Sequence, residues 1–208
     1  MRGAEGPPLP RRTGHGKSRQ TPEASLTNWL FLPCSTRPNG NSLALARAAA
    51  AYLPAGGRAE WFDLATPALP RFADLRASGG HAAPAGRLAE LAAATLAADE
   101  LVIASPVYWY GLAGPGHEML DHWSGWLEVP QMRFAATMRG KRLWLISVRA
   151  DPTHGSQAPL EDVMRRTARW MGLRFGGALH GLGDAPGEVL RDAEALARAR
   201  GFFAAPEE

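Results

Sequence analysis

The chain has one cysteine, Cys34, in 208 residues. A lone thiol excludes an internal disulfide, a cysteine-rich zinc centre and an iron–sulfur cluster, and it suits a reducing, cytoplasmic setting. Long apolar runs are missing as well. None approaches the ~18 residues that span a bilayer, and the first residues lack the apolar stretch of a secretory signal, so a soluble protein is expected. The net charge of +3 sits at one end, where Arg2, Arg11, Arg12, Lys17 and Arg19 stand against Glu5 and Glu23. The remainder is formally neutral and offers nucleic acid no basic face. Residues 1–27 are rich in Gly, Pro, Arg and Ser and have little to bury, so they are expected to be an unfolded extension of one domain over 28–205. Two glycine motifs are also absent: no G-x-x-x-x-G-K-[ST] is present, and no G-x-G-x-x-G follows the first strand. Gly181-Leu182-Gly183 reads as a turn.

The rest alternates between short apolar runs and Ala/Leu-rich helical stretches. Strands are expected at 29–32, 60–64, 100–104, 142–148 and 173–179, and helices at 41–52, 86–98, 114–126, 159–171 and 185–199. Five strands alternating with five helices imply an α/β fold, a five-stranded parallel sheet with helices on both faces and right-handed crossovers. Ligands of such sheets bind beyond the carboxyl ends of the strands, where strand order reverses. That directs attention to residues 33–42, 105–116 and 147–157.

The first of these loops reads Cys34-Ser35-Thr36-Arg37-Pro38-Asn39-Gly40-Asn41-Ser42. Hydroxyls, an arginine and a flexible glycine ahead of a helix start are what a phosphomonoester needs, since the helix offers free N–H groups and the positive end of its dipole. A plain turn at Asn39-Gly40 with Asn41 or Ser42 as helix cap accounts for many of the same residues. The second loop, Ser105-Pro106-Val107-Tyr108-Trp109-Tyr110-Gly111, places a proline-stiffened aromatic cluster at the sheet edge. Such a cluster suits a flat ring system, although aromatic side chains also serve simply to pack onto helices.

The first loop resembles the G-S-x-R-x-x-G-N-[ST] phosphate loop of the NADPH-dependent FMN reductase family, flavodoxin-like flavoproteins that include quinone, azo and chromate reductases. Ser35, Arg37, Gly40, Asn41 and Ser42 match it position for position, and Cys34 replaces the usual first glycine. The second loop resembles the family's [ST]-P-x-Y-[WF] loop, and the helix after it keeps Leu120 and Asp121 but has His117 and His122 in place of Lys and Arg. The resemblance implies a flavodoxin-like domain that binds FMN through Ser35, Arg37, Asn39, Gly40, Asn41, Ser42, Pro106, Val107, Tyr108 and Trp109. It implies NAD(P)H-dependent reduction of a small acceptor such as a quinone, flavin, nitro or azo compound, with the chemistry on FMN and no catalytic side chain. Arg149 is expected near the polar edge of the flavin. A homodimer is also implied, with Tyr108, Trp109 and the Trp123/Trp126 helix near its interface. The alternatives are a flavodoxin-like electron carrier, against which the neutral charge of the domain argues, and a cofactor-free module that kept the fold.

Overall fold

The computed structural model describes residues 26–204 and 206. The expected extension, residues 1–27, lies outside these apart from its last two. Of those, Thr27 already pairs, its N–H donating to Gly56 O at 3.0 Å.

Strands β1 (Thr27–Pro33), β2 (Gly57–Trp61), β3 (Glu100–Pro106), β4 (Arg142–Arg149) and β5 (Arg174–Leu182) form one sheet in the order β2-β1-β3-β4-β5. Every pairing is parallel. Helices α1 (Asn41–Ala50), α2 (Arg87–Ala97), α3 (Gly114–Leu127), α4 (Phe134–Met138), α5 (Ala158–Met171) and α6 (Ala193–Ala199) complete the chain order, with 3-10 turns at Pro130–Met132 and Glu188–Arg191. The expected α/β class and five-stranded parallel sheet are borne out, and strand order reverses between β1 and β3 as in flavodoxins.

Alternation along the buried strands builds two cores. Leu30, Leu32, Leu101, Ile103, Leu143 and Leu145 face α2 to α5, and Trp29, Phe31, Val102, Trp144 and Ile146 face α1 and α6. Strands buried on both faces read as unbroken apolar runs, which is why β3 and β4 stand out in the sequence. Gly176 in β5 has a steric purpose: a Cβ there would lie 2.4 Å from the Trp144 indole. The glycines that look like a break in the strand let that indole lie against the neighbouring backbone.

Three expectations need correction. Strand β2 spans Gly57–Trp61 rather than 60–64, because as an edge strand it pairs only with β1 and is largely exposed, so apolar residues do not mark it. The expected closing helix at 185–199 is interrupted. Gly187 has φ 78°, a 3-10 turn follows, and Asp192 caps a separate α6 by accepting from Ala195 N at 2.9 Å. A sixth helix, α4, was not expected; its Phe134 packs edge-on to Trp123 and Trp126 at 5.6 and 5.3 Å.

Candidate cofactor site

The carboxyl ends of β1, β3, β4 and β5 meet around a cavity of about 150 Å³. Ser35, Arg37, Gly40, Asn41 and Ser42 line one side, Pro106, Val107 and Tyr108 another, and Val148, Ala150, Gly183 and Asp184 the rest. Eight of the ten candidate residues therefore converge on one space. Asn39 and Trp109 do not. Asn39 lines the adjoining groove against α1 and Leu190, and Trp109 is 97% exposed.

The chemistry of the first side follows from the start of α1. Gly40 is its N-cap, so no side chain caps the helix, and its first turn holds no acidic residue. The earliest intrahelical bond into the cap runs from Ala44 N to Gly40 O at 3.1 Å, which leaves the N–H groups of Asn41, Ser42 and Leu43 with no helical carbonyl to bond. Ser42 is buried at 1% exposure, and its Oγ has no hydrogen-bond partner. Ser35 Oγ accepts from Arg37 N at 3.1 Å and curls the loop inward. A Cβ on Gly40 would sit 2.7 Å from that oxygen and 3.2 Å from Arg37 O, so only glycine lets the loop close. Uncapped N–H groups, a buried hydroxyl with no protein partner and a glycine-lined cradle make a donor set that a terminal phosphate such as that of FMN fits.

Arg37 and Asn41 also bind the protein itself. Arg37 Nη1 donates to Asp184 O at 2.6 Å. Asn41 Nδ2 donates to Ala185 O at 2.9 Å, and its Oδ1 accepts from Val189 N at 3.4 Å. Both side chains tie α1 to the loop after β5, a segment that reads as an ordinary turn in the sequence. Gly183 and Asp184 are thus wall residues that sequence reasoning missed. Their signal was position alone, at the carboxyl end of a fifth strand.

The aromatic loop is held from beneath. Ser105, fully buried, accepts from Ala113 N through its Oγ at 3.0 Å, and Val107 N donates to Val148 O at 2.9 Å. Tyr108 and Gly111 form an isolated antiparallel bridge whose two central residues, Trp109 and Tyr110, have φ of 49° and 63°. Left-handed backbone is costly for bulky side chains, so this exposed aromatic tip is a strained feature of the kind that gathers at functional sites.

Arg149 turns away from its expected place. It lines a neighbouring cavity of about 710 Å³ with Leu182, Asp184 and Asp192, its guanidinium donating to Asp151 O, while Val148 and Ala150 face the candidate site. One pleat below, Ser147 Oγ donates to His180 Nδ1 at 2.7 Å, and His180 Nε2 donates to Glu161 at 2.9 Å. Burial, with Arg198 and Arg149 nearby, holds the His180 pKa below its usual value, although Glu161 opposes this. Burial alone would raise Glu161, but bonds from His180 and Arg165 outweigh it and hold the carboxyl low. The Ser147 hydroxyl is 1% exposed, so this row braces β4, β5 and α5 rather than presenting a nucleophile.

Cys34 is fully buried, and Gly116 of α3 makes room for its Sγ. Burial, with Asp63 nearby, pushes its pKa far up, which leaves the thiol protonated and inert. His122, which stands in place of the family's Arg, is buried. Its Nε2 donates to Pro70 O at 2.7 Å and its ring meets Phe72 edge-on, pinning the loop after β2 to α3. His117 is exposed.

A model of the NADPH-dependent FMN reductase family matches residues 27–173. The chain belongs to that family. It is 31% identical over 166 residues to YwqN of Bacillus subtilis (strain 168), named as a candidate NAD(P)H-dependent FMN-containing oxidoreductase, with 79% of this chain and 90% of the relative covered. Among solved structures, the Trp repressor binding protein from Bacillus subtilis aligns at a TM-score of 0.68 with 26% identity, over 84% of this chain and 97% of that one. An FMN-dependent NADH-azoreductase from Bacillus anthracis, solved with FMN, aligns at 0.58 with 11% identity over 86% and 98%, a likeness of fold alone. The expectation of an FMN-dependent NAD(P)H oxidoreductase is borne out at the level of the family.

Proposed function

We propose that this flavodoxin-like domain holds FMN with its phosphate at the start of α1, against Ser35, Arg37, Gly40 and Ser42, and its ring against Pro106, Val107 and Tyr108. The observation that carries this reading is the buried Ser42 hydroxyl without a partner at an uncapped helix start, on the wall of a cavity that Arg37 and the aromatic loop also reach. Asn41 contributes by tying the loop after β5 to α1, and Trp109 and Asn39 stand at the rim. When bound, FMN supplies the redox chemistry, taking hydride from NAD(P)H and passing it to a quinone, flavin, nitro or azo acceptor. The protein binds the phosphate, offers an apolar wall to the ring and keeps both substrates aligned above it. No side chain at the site is required as acid or base. A homodimer in the cytoplasm is the setting we propose, and the single buried thiol suits a reducing compartment.

The test is direct. Purified protein is expected to be yellow, to release FMN rather than FAD on heating, and to oxidise NADH or NADPH in the presence of a quinone. Colourless protein that takes up no added FMN overturns the reading.

A further inference from the structure

The two ends of the sheet differ in charge. At the amino end, where β4 and β5 begin and α5 stops, lies an open hollow of about 750 Å³. Arg142 of β4, Arg165 and Arg169 of α5 and Arg174 of β5 line it, and among the described residues no Asp or Glu does. The cavity at the carboxyl end that Arg149 and Arg191 reach is the contrast, because the carboxylates of Asp184, Glu188, Asp192 and Glu194 share its wall. Like charges gathered round one hollow repel, and an anion placed among them is attracted by all.

Two of the four arginines are fixed in place. Arg142 Nη1 donates to Glu100 at 2.7 Å with its guanidinium 5.9 Å from the centre of the Trp144 ring, and Arg165 is tied to Glu161 at 2.7 Å and lies 4.4 Å over the Phe175 ring. Glu100 and Glu161 balance these two charges from outside the hollow. Arg169 and Arg174 are exposed, and neither forms a salt bridge among the described residues. Arg174 donates its Nε to the uncharged Gly140 O at 3.2 Å. A fifth arginine, Arg139, lies across Gly172 at the rim, where a Cβ would meet its Cγ at 3.3 Å. Arg169 in the last turn of α5 also suits the negative end of the helix dipole, a role that leaves Arg174 unexplained.

Guanidinium forks pair with phosphate oxygens, the floor at Leu173, Phe175 and Pro206 is apolar, and the volume is that of a small-molecule site. We infer that this hollow binds the polyphosphate group of a nucleotide-sized anion, with Arg169 and Arg174 closing on the phosphates and Arg142 and Arg165 as fixed charges behind them. The inference is independent of the cofactor reading. Val148, on the wall of the candidate cofactor cavity, is six residues along β4 from Arg142, roughly 20 Å at about 3.3 Å each, so the ligand takes no part in hydride transfer.

Isothermal titration calorimetry tests it on full-length protein with FMN in excess, at low ionic strength and without divalent cations. The probes are ATP, inorganic tripolyphosphate and adenosine. ATP and tripolyphosphate are expected to bind and adenosine to fail. ATP binding the tighter would mean that the apolar floor takes the base, and equal affinities that the phosphate chain alone is held. Arg169→Ala and Arg174→Ala should each weaken ATP at least about 10-fold, while Arg37→Ala, at the other end of the sheet, should leave it unchanged. Should the alanine variants fail to fold, Arg169→Lys and Arg174→Lys decide, since they keep the charge but lose the fork and should still weaken ATP about 3-fold. No binding of either polyanion overturns the inference, as does adenosine binding as tightly as ATP. Binding that ignores Arg169 and Arg174, or that falls with Arg37→Ala instead, overturns it too.

Discussion

Replacing Ser42 by alanine should move two measurements in opposite directions. In the free protein the Ser42 Oγ is buried without a partner, and such a hydroxyl costs about 1–3 kcal/mol relative to a paired one. Alanine removes that cost and is also the better helix former by a few tenths of a kcal/mol, so the apo-protein should gain about 1 kcal/mol. For a chain of this size that is roughly 2–4 °C in melting temperature. On the proposed reading the same hydroxyl faces the FMN phosphate, and a hydrogen bond to a charged group contributes about 1.5–3 kcal/mol. Its loss should weaken FMN about 10- to 150-fold, since every 1.4 kcal/mol is a factor of ten. Riboflavin, which has no phosphate, should bind both proteins equally. Flavin fluorescence titrated against apo-protein, together with thermal melts without ligand, gives both numbers. An apo-protein that loses stability would mean the hydroxyl is satisfied in solution, and FMN affinity unchanged from wild type would mean the start of α1 does not hold phosphate.

Other perturbations separate the remaining parts of the site. Arg37→Ala removes a charge from the cavity and the 2.6 Å tie to Asp184 O, so FMN affinity should fall by a similar factor while riboflavin affinity changes little; equal FMN affinities would exclude the arginine from the phosphate site. Gly40→Ala drives a methyl to 3.2 Å from Arg37 O and closer still to Ser35 Oγ, and should lower both melting temperature and FMN retention, which a melt and an absorbance ratio will show. Trp109→Gly relieves a left-handed φ of 49° at a 97% exposed residue; the melting temperature should hold or rise by the few degrees that about 1 kcal/mol gives, and a marked fall would show that the indole packs. His180 is held below its usual pKa of about 6.5, so the unfolded chain binds the proton first, and stability should decline as pH falls from about 6.5 toward the lower folded value. His180→Asn should flatten that part of the profile, and denaturant melts between pH 7 and 5 that still decline with the wild-type slope would show that another group titrates.

The elements buried on both sides of the sheet were the most legible in the sequence. Strands β3 and β4 and helices α1, α2, α3 and α5 lie within one or two residues of their expected bounds, because continuous apolar runs and helix periodicity reflect burial directly. Strand β2 slipped by three residues because Gly57, Arg58 and Ala59 pair along only one edge, while the apolar Phe62 and Leu64 just beyond drew the expectation forward. Short helix α4 offered too few residues for a periodic pattern. The role of His122 was not legible because it depends on Pro70, which lies 52 residues away. Asn41 followed the same rule. Its match to a motif was visible in the sequence, but its bonds to Ala185 and Val189 join segments more than 140 residues apart.

The same distinction explains why the proposed phosphate end of the site was readable and its far wall was not. An anion site at a helix start is local chemistry. Glycine, hydroxyl and free N–H groups within eight residues suffice, so the loop at Ser35 to Ser42 announces itself wherever the chain carries it. The far wall is made by Val148, Ala150, Gly183 and Asp184, residues with no distinctive chemistry that acquire a role through strand order alone. Parallel pairing of β4 with β5 carries Gly183 past the end of the sheet, and its N–H donates to Arg149 O at 2.9 Å. Arg37 then closes on the next carbonyl, that of Asp184. The arginine that marks the phosphate loop is thus also the clasp between the first and last strand ends. A change in the loop after β5 should therefore reach FMN through Arg37 even where it touches no part of the cofactor.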